Sequence, residues 1–184
     1  MKEIQNLEKF KLPKNFRGKN AFIVQLWWIV QGFFFKNSPQ FMYGFRNFLL
    51  RMFGAKIGKN VIIRPSVKVT YPWKISIGDS CWIGDDVVLY SLGEIEIGNN
   101  VVISQKSYLC AASHDYLKLD FSIFAKKIVI NDQVWLATDV FVAPGISIGE
   151  GTVVGARSSV YKNLPPNKIC MGSPVKIIRN RVGE

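Results

Sequence analysis

Large aliphatic side chains recur at intervals of six along most of this chain, a spacing that few folds can use. Ile57, Ile63 and Val69 form one triad, Ile77, Ile83 and Leu89 a second, and Ile97, Ile103 and Leu109 a third. The series resumes at Ile130, Leu136 and Val142 and continues through Ile148, Val154 and Val160. Four positions after most of these stands a small or branched residue, as at Val61, Cys81, Val101, Ser107, Val140 and Ser158. Glycine often follows the large residue directly, as in Ile57-Gly58, Ile77-Gly78, Ile97-Gly98 and Ile148-Gly149. A helix cannot hold such a series on one face, because six steps of about 100° leave successive members about 240° apart. A plain strand would alternate at period two without glycine punctuation. A coil of short strands, one hexapeptide each, satisfies the spacing, with corners where glycine permits positive φ. Three hexapeptides complete a triangular turn, and successive turns stack as parallel strands about 4.8 Å apart.

The interruptions are as informative as the repeat. From Val69 to Ile77 and from Leu89 to Ile97 the step is eight, and from Leu109 to Ile130 it is twenty-one. All three insertions follow the third hexapeptide of a turn, which puts them at one corner of the prism. The longest, around Cys110 to Val129, contains His114, the only histidine in the chain. Excursions from a rigid scaffold commonly carry function, so a long loop around His114 is the first place to look.

Composition narrows the chemistry. A single histidine excludes a catalytic zinc centre built on two or three imidazoles, and three cysteines without a CxxC pair argue against a cysteine-rich metal module. No metal is expected, and the cysteine count fits a reducing compartment. Cys81 occupies an inward repeat position and reads as core. Cys110 opens the loop, but nothing beside it in sequence would activate a thiol.

The net charge of +11 is unevenly spread: residues 1–56 carry +8 and residues 57–184 only +3. We therefore divide the chain into a basic, aromatic, mainly helical N-terminal segment, 1–56, and a coil with its C-terminal tail, 57–184. Basic residues interleaved with stacking aromatics do not continue downstream, so nucleic acid is not expected as a partner. The stretch Ala21 to Phe35 is almost wholly apolar, yet as a helix it would rise only about 22 Å, short of the roughly 30 Å hydrocarbon layer. It reads either as a cap on a core or subunit contact, or as a helix lying in the membrane interface with Lys19, Lys36, Arg46 and Arg51 near headgroups. The charged start and the lack of a cleavage site suggest a cytoplasmic location, with peripheral membrane association open.

The hexapeptide pattern, the run Val134-Trp135-Leu136-Ala137 to Ala143-Pro144-Gly145, and the tail Leu164-Pro165-Pro166-Asn167 to Gly172-Ser173-Pro174-Val175-Lys176 resemble the bacterial hexapeptide-repeat acyltransferases. Within that superfamily, Tyr71-Pro72-Trp73, Leu89-Tyr90-Ser91-Leu92-Gly93 and Ser113-His114-Asp115-Tyr116 resemble the colanic-acid-type polysaccharide O-acetyltransferases, relatives of galactoside and maltose O-acetyltransferases. The resemblance covers the chain from about residue 40 onward. It implies a mainly β fold, a left-handed parallel β-helix, assembled as a homotrimer with active sites between neighbouring coils. It further implies acetyl transfer from acetyl-CoA to a sugar hydroxyl of a saccharide acceptor.

By that resemblance His114 matches the family's catalytic general base, with Asp115 or another acid orienting its ring. Trp135, Thr138, Ala156, Tyr161, Lys162, Lys176 and Arg179 match positions that contact the cofactor. Arg157 and Tyr161 depart from the usual glycine and small hydroxyl residue. Asp85 and Asp86 stand where members place polar residues for the sugar. Two other readings remain open to the sequence: an acetyltransferase that inactivates a small hydroxylated molecule, and a coil that serves as a scaffold without catalysis.

Overall fold

The computed structural model describes residues 3–182. From Lys56 onward the chain winds into a triangular coil whose three sides are parallel sheets. The first sheet stacks strands Lys56–Ile57, Ile75–Ile77, Ile95–Ile97, Ile128–Ile130 and Ser147–Ile148. The second begins with Ile62–Ile63, Trp82–Ile83, Val102–Ile103, Trp135–Leu136 and Val153–Val154, and ends with Lys168–Met171 and the antiparallel strand Lys176–Asn180. The third stacks Lys68–Val69, Val88–Tyr90, Tyr108–Cys110, Phe141–Val142 and Ser159–Val160.

Every large residue of the six-residue series points inward and is buried, Ile57 at the open end being the least covered. The registers stack like on like: Ile63, Ile83, Ile103, Leu136 and Val154 form one column and Val69, Leu89, Leu109, Val142 and Val160 another. Burial of each such side chain stabilises the coil by roughly 1.5–3 kcal/mol. Where the small inward position is polar it is satisfied by the next turn. Ser107 Oγ, for example, donates to Ala137 O (3.0 Å) and accepts from Val140 N (3.2 Å). The coil also continues beyond Val160: Leu164, Cys170 and Val175 are buried in a partial sixth turn that the six-residue count does not reach.

Glycine at the corners works differently from the expectation. Gly58, Gly78 and Gly98 are not in the left-handed region; a Cβ on Gly98 would lie 2.2 Å from Asp132 Oδ1 and 2.8 Å from Asp132 N. These glycines let one turn approach the next. Positive φ falls instead on polar residues further along each corner, among them Asn60, Ser80 and Asn100 on one edge and Asp86, Lys106, Asp139 and Arg157 on another. Asn and Asp tolerate that conformation through local hydrogen bonds.

The aromatic stretch forms a ten-residue helix, α1 (Ala21–Val30), capped by Asn20 Oδ1 on Ile23 N (3.0 Å), and runs into a π-helical turn, Gln31–Phe35. A second helix, α2 (Tyr43–Met52), ends where Gly54 takes φ +92°. Together they close the first turn of the coil, whose downward-facing backbone groups have no strand beneath them. Trp27 Nε1 donates to Val69 O (2.8 Å) and Gln31 Oε1 accepts from Val69 N (2.6 Å). Arg46 Nε donates to Ile63 O (2.7 Å), Asn47 Nδ2 to Val61 O (2.8 Å), and Arg51 to Ile57 O and Gly58 O. Arg46 and Arg51 are therefore not headgroup ligands as the charge pattern suggested; Arg46 is fully buried and its charge terminates the coil. Burial lowers the guanidinium pKa from its ordinary value, and the ring of Tyr43 lies 5.2 Å away.

Candidate active site

The three insertions leave from the edge after the third sheet, as the steps of eight and twenty-one require. The longest is a β-hairpin and not an open loop. Ala112–His114 pairs antiparallel with Ile123–Ala125, setting Ser113 opposite Phe124 and His114 opposite Ile123. Lys126 N returns to Ala111 O (3.0 Å), tying the hairpin base to the coil.

His114 is held on three sides. Its Nδ1 lies 2.8 Å from the carbonyl oxygen of Phe121. A carbonyl can only accept, so Nδ1 carries the hydrogen and Nε2 keeps its lone pair. The Phe121 ring stacks on the imidazole at 4.4 Å with 10° between planes, and Phe10, from the N-terminal segment, lies 5.9 Å away on a tilted plane. Phe121 itself has φ +47°, uncommon for a bulky residue, and in this conformation it presents both its carbonyl and its ring to His114. The N-terminal segment reaches the hairpin a second time through Asn6 N to Leu119 O (2.7 Å).

Asp115 does not orient the ring. Its Oδ1 accepts from Leu117 N (3.1 Å) and its Oδ2 faces Lys118 Nζ at 3.7 Å, both within the hairpin tip. The orienting group is the Phe121 carbonyl, which sequence reasoning missed because any residue can supply a carbonyl.

The residues expected to hold the cofactor fall into three places. Trp135 lies on the outer face of the second sheet, 45% exposed, with Nε1 donating to Ser104 Oγ (3.0 Å). Thr138 and the exposed Ala156 follow on the next edge, one turn apart, with Thr138 O accepting from Arg157 N (2.8 Å). Tyr161 and Lys162 are exposed on the edge from which the His114 hairpin leaves, the Tyr161 ring 5.7 Å from Phe141. Lys176 and Arg179 lie on the terminal strand, both exposed. Among the described residues, no carboxylate lies within ion-pair distance of Lys162, Lys176 or Arg179.

Asp85 and Asp86 sit on the same edge as Thr138 and Ala156, several turns lower. Asp85 is engaged by Arg64 Nε (2.9 Å) and Ser66 Oγ (3.1 Å), so it braces one turn against the next; Asp86 is exposed at φ +57°. They border a groove of about 590 Å³ lined also by Arg64, Trp82, Ser104 and Lys106. Trp82, 58% exposed, is a further candidate. The repeat could have revealed it: like Trp135 it immediately precedes an inward residue and must face out. Within one chain, the His114 hairpin and the Trp135–Thr138–Ala156 group lie on different edges of the prism. No group of three or more His, Cys, Asp or Glu among the described residues is placed to hold a metal ion.

No protein-family model matches the chain. It is 64% identical over 179 residues to a protein of Escherichia coli strain K12 named "Putative colanic acid biosynthesis acetyltransferase WcaF", covering 97% of this chain and 98% of that one. It is 30% identical over 137 residues to the galactoside O-acetyltransferase of the same organism, covering 73% and 68% of the two chains. Among solved structures, a hexapeptide-repeat-containing acetyltransferase of Vibrio cholerae in complex with acetyl coenzyme A superposes with a TM-score of 0.80 at 25% identity, covering 90% and 92%. Sequence kinship and the coil of six-residue strands agree: the chain belongs to the left-handed β-helix, hexapeptide-repeat acetyltransferases.

Proposed function

We propose that this enzyme moves the acetyl group of acetyl-CoA to a sugar hydroxyl during the assembly of a surface polysaccharide. The observation that carries the reading is the state of His114: Nδ1 is capped by a carbonyl, and the ring plane is set by Phe121. Nε2 is thereby left as a neutral base. An acceptor hydroxyl placed against Nε2 gives up its proton as its oxygen attacks the thioester carbonyl. The carbon–sulfur bond breaks, and the imidazolium returns the proton to the departing sulfur. The Phe121 carbonyl stabilises the charged ring throughout, since it faces an N–H in both protonation states.

Acetyl-CoA supplies the activated acetyl thioester. The fit is chemical: Trp135 offers an exposed apolar plane for a pantetheine arm, with Thr138 and Ala156 beside it. Tyr161 and the cations Lys162, Lys176 and Arg179 suit the nucleotide and its phosphates. Asp85 and Asp86 border the groove where a saccharide would lie.

The working unit in this reading is a homotrimer. His114 and the Trp135 group leave different edges of one prism, so a second copy has to bring them together, and a cyclic head-to-tail contact that closes at three does so. The enzyme works in the cytoplasm, held peripherally at the inner face of the membrane where a growing saccharide would be presented.

The test is thiol release from acetyl-CoA against a panel of oligosaccharides, with wild type and His114→Ala both verified as folded trimers. We expect sugar-dependent turnover that falls by about 10²- to 10⁴-fold in the variant. Mixing His114→Ala chains with Trp135→Ala chains should restore part of the activity, because some mixed interfaces pair one intact hairpin with one intact Trp135. Full turnover in the His114 variant would remove the base assignment, and no recovery on mixing would remove the shared site.

A further inference from the structure

Helix α1 and its π-helical extension are almost wholly apolar, with Gln25 and Gln31 their only polar side chains and no charged residue between Lys19 and Lys36. A helix of that kind is normally buried all round. Here one side is: Val24, Trp27 and Phe35 are completely covered by the coil and α2. The opposite side is bare. Phe22, Leu26, Ile29 and Phe33, stepping by four, three and four along the helix, remain exposed, Phe22 at 72% and Phe33 at 70%. Among the described residues, nothing in the chain covers this stripe.

The charge around it identifies the occupant. Lys19 and Lys36 bracket the stripe, both exposed, and no Asp or Glu occurs anywhere between Glu8 and Asp79. A second copy packed face to face on this stripe would set lysine against lysine with no local carboxylate to answer it. An anionic lipid surface accepts both features, apolar side chains in the acyl boundary and lysines among the phosphates. Among the described residues no helix is long and apolar enough to cross a membrane, so the helix would lie in the plane of the interface.

We infer that the outer face of α1, the Phe22–Leu26–Ile29–Phe33 stripe with Lys19 and Lys36 at its ends, docks the enzyme on an anionic phospholipid surface. This rests on the membrane-side reading above and assigns it to one helix face. Trp27 and Gln31, on the opposite face, hold the first turn of the coil, so the docked helix is rigidly joined to the catalytic body. A trimer would offer three such faces, and their linked binding would exceed that of one.

The experiment is vesicle flotation of the full chain. The probes are phosphatidylcholine vesicles alone and phosphatidylcholine vesicles containing phosphatidylglycerol. Wild type should float with the mixed vesicles and much less with the neutral ones, with binding reduced by salt. The double variant Phe22→Ser, Phe33→Ser should lower binding by about tenfold or more, since both side chains leave the acyl boundary. Turnover on a soluble oligosaccharide should be unchanged in that variant, which shows that it has folded. Lys19→Gln with Lys36→Gln should remove the preference for the anionic vesicles. Wild type that floats with neither vesicle, or a double serine variant that floats as wild type does, overturns the inference. So does a wild-type assembly larger than the trimer that the serine variant dissociates, for then another copy covers the face. Flotation uses no turnover, so failure of acetyl transfer with intact vesicle binding would count against the proposed reaction alone.

Discussion

Replacing Arg46 with methionine tests how the coil is terminated. The guanidinium is fully buried and makes four hydrogen bonds: Nε to Ile63 O (2.7 Å), Nη1 to Ser38 Oγ (2.8 Å) and Pro39 O (2.9 Å), and Nη2 to Gln40 O (2.6 Å). Methionine fills a similar volume but donates nothing. Ser38 Oγ keeps its own bond to Phe35 O (2.6 Å), so three carbonyls lose this donor. Ile63 O lies deepest, on the underside of the first turn, and an orphaned buried acceptor costs about 1–3 kcal/mol. Water reaches the part-buried Pro39 and Gln40 carbonyls, so each costs less. Relief of the buried charge offsets part of the loss, and the sum is about 3 kcal/mol. For a chain of this length that lowers the melting temperature by about 6–12 °C. Circular dichroism melts at matched protein concentration measure it, with Lys36→Met, an exposed control, expected within about 0.5 kcal/mol of wild type. Arg46→Lys should fall between, because one ammonium cannot span all four acceptors. A methionine variant that melts within about 1 kcal/mol of wild type would show that water or chain movement satisfies the first turn, and the capping account would be wrong.

Three further outcomes follow from the geometry. Because His114 is the only histidine, a ¹⁵N-edited imidazole spectrum reports on it alone; the neutral ring should be the Nδ1–H tautomer, and an Nε2–H spectrum would contradict the Phe121 contact. Burial pushes the thiols of Cys81, Cys110 and Cys170 above the ordinary value, so each holds less thiolate at neutral pH than a free cysteine. An aromatic disulfide reagent should therefore titrate three thiols promptly only after denaturation, with the native rate rising as pH climbs past the ordinary thiol range, and a fast native thiol at neutral pH would refute this. Gly98→Ala sets a Cβ 2.2 Å from Asp132 Oδ1 and should destabilise by about 1–3 kcal/mol. Gly44→Ala, on the exposed side of α2 with nothing within 4 Å, should stabilise by about 0.5–1 kcal/mol, and thermal melts of both variants check the contrast.

The placement of the insertions carries a functional consequence. A coil is a poor catalyst by itself, because every turn repeats the last and offers no unique corner. Specific chemistry enters where the repeat is broken, and here all three breaks share one edge. The Pro72–Lys74 turn, the Leu92–Gly93 step and the His114 hairpin are tied together and to the N-terminal segment. Lys74 Nζ bonds Leu92 O and Phe16 O, and Trp73 Nε1 donates to Arg17 O (2.7 Å). Burial lowers the Lys74 pKa, though Glu94 nearby acts against it. Segment 3–20 thus runs from the hairpin that holds His114 to the start of the helix we assign to the membrane.

The six-residue register from Ile57 to Val160 was legible because each inward residue meets its own kind one turn away, and a repeated contact writes itself as a period. The same count put all the insertions on one edge and His114 in the largest. The helical cap was readable in kind but not in contact. Trp27 bonds a residue 42 positions away and Arg46 one 17 away, and no local pattern marks such separations. Charge counting alone therefore sent Arg46 outward, when the unfinished first turn draws it in. Gly145 and Gly151 do take positive φ at corners, but for the glycines directly after the inward residues, such as Gly58, Gly78 and Gly98, close approach of the next turn, and not φ, is what excludes a Cβ. Asp115 looked like the partner of His114 because carboxylates are visible in a sequence and carbonyls are not. The sequence by itself thus determined the coil, its breaks and the place of His114 in the longest of them. Only the tertiary structure decided which oxygen orients that imidazole, which cations cap the coil and which face of α1 stays bare, because those depend on backbone groups and surfaces that have no side-chain signature.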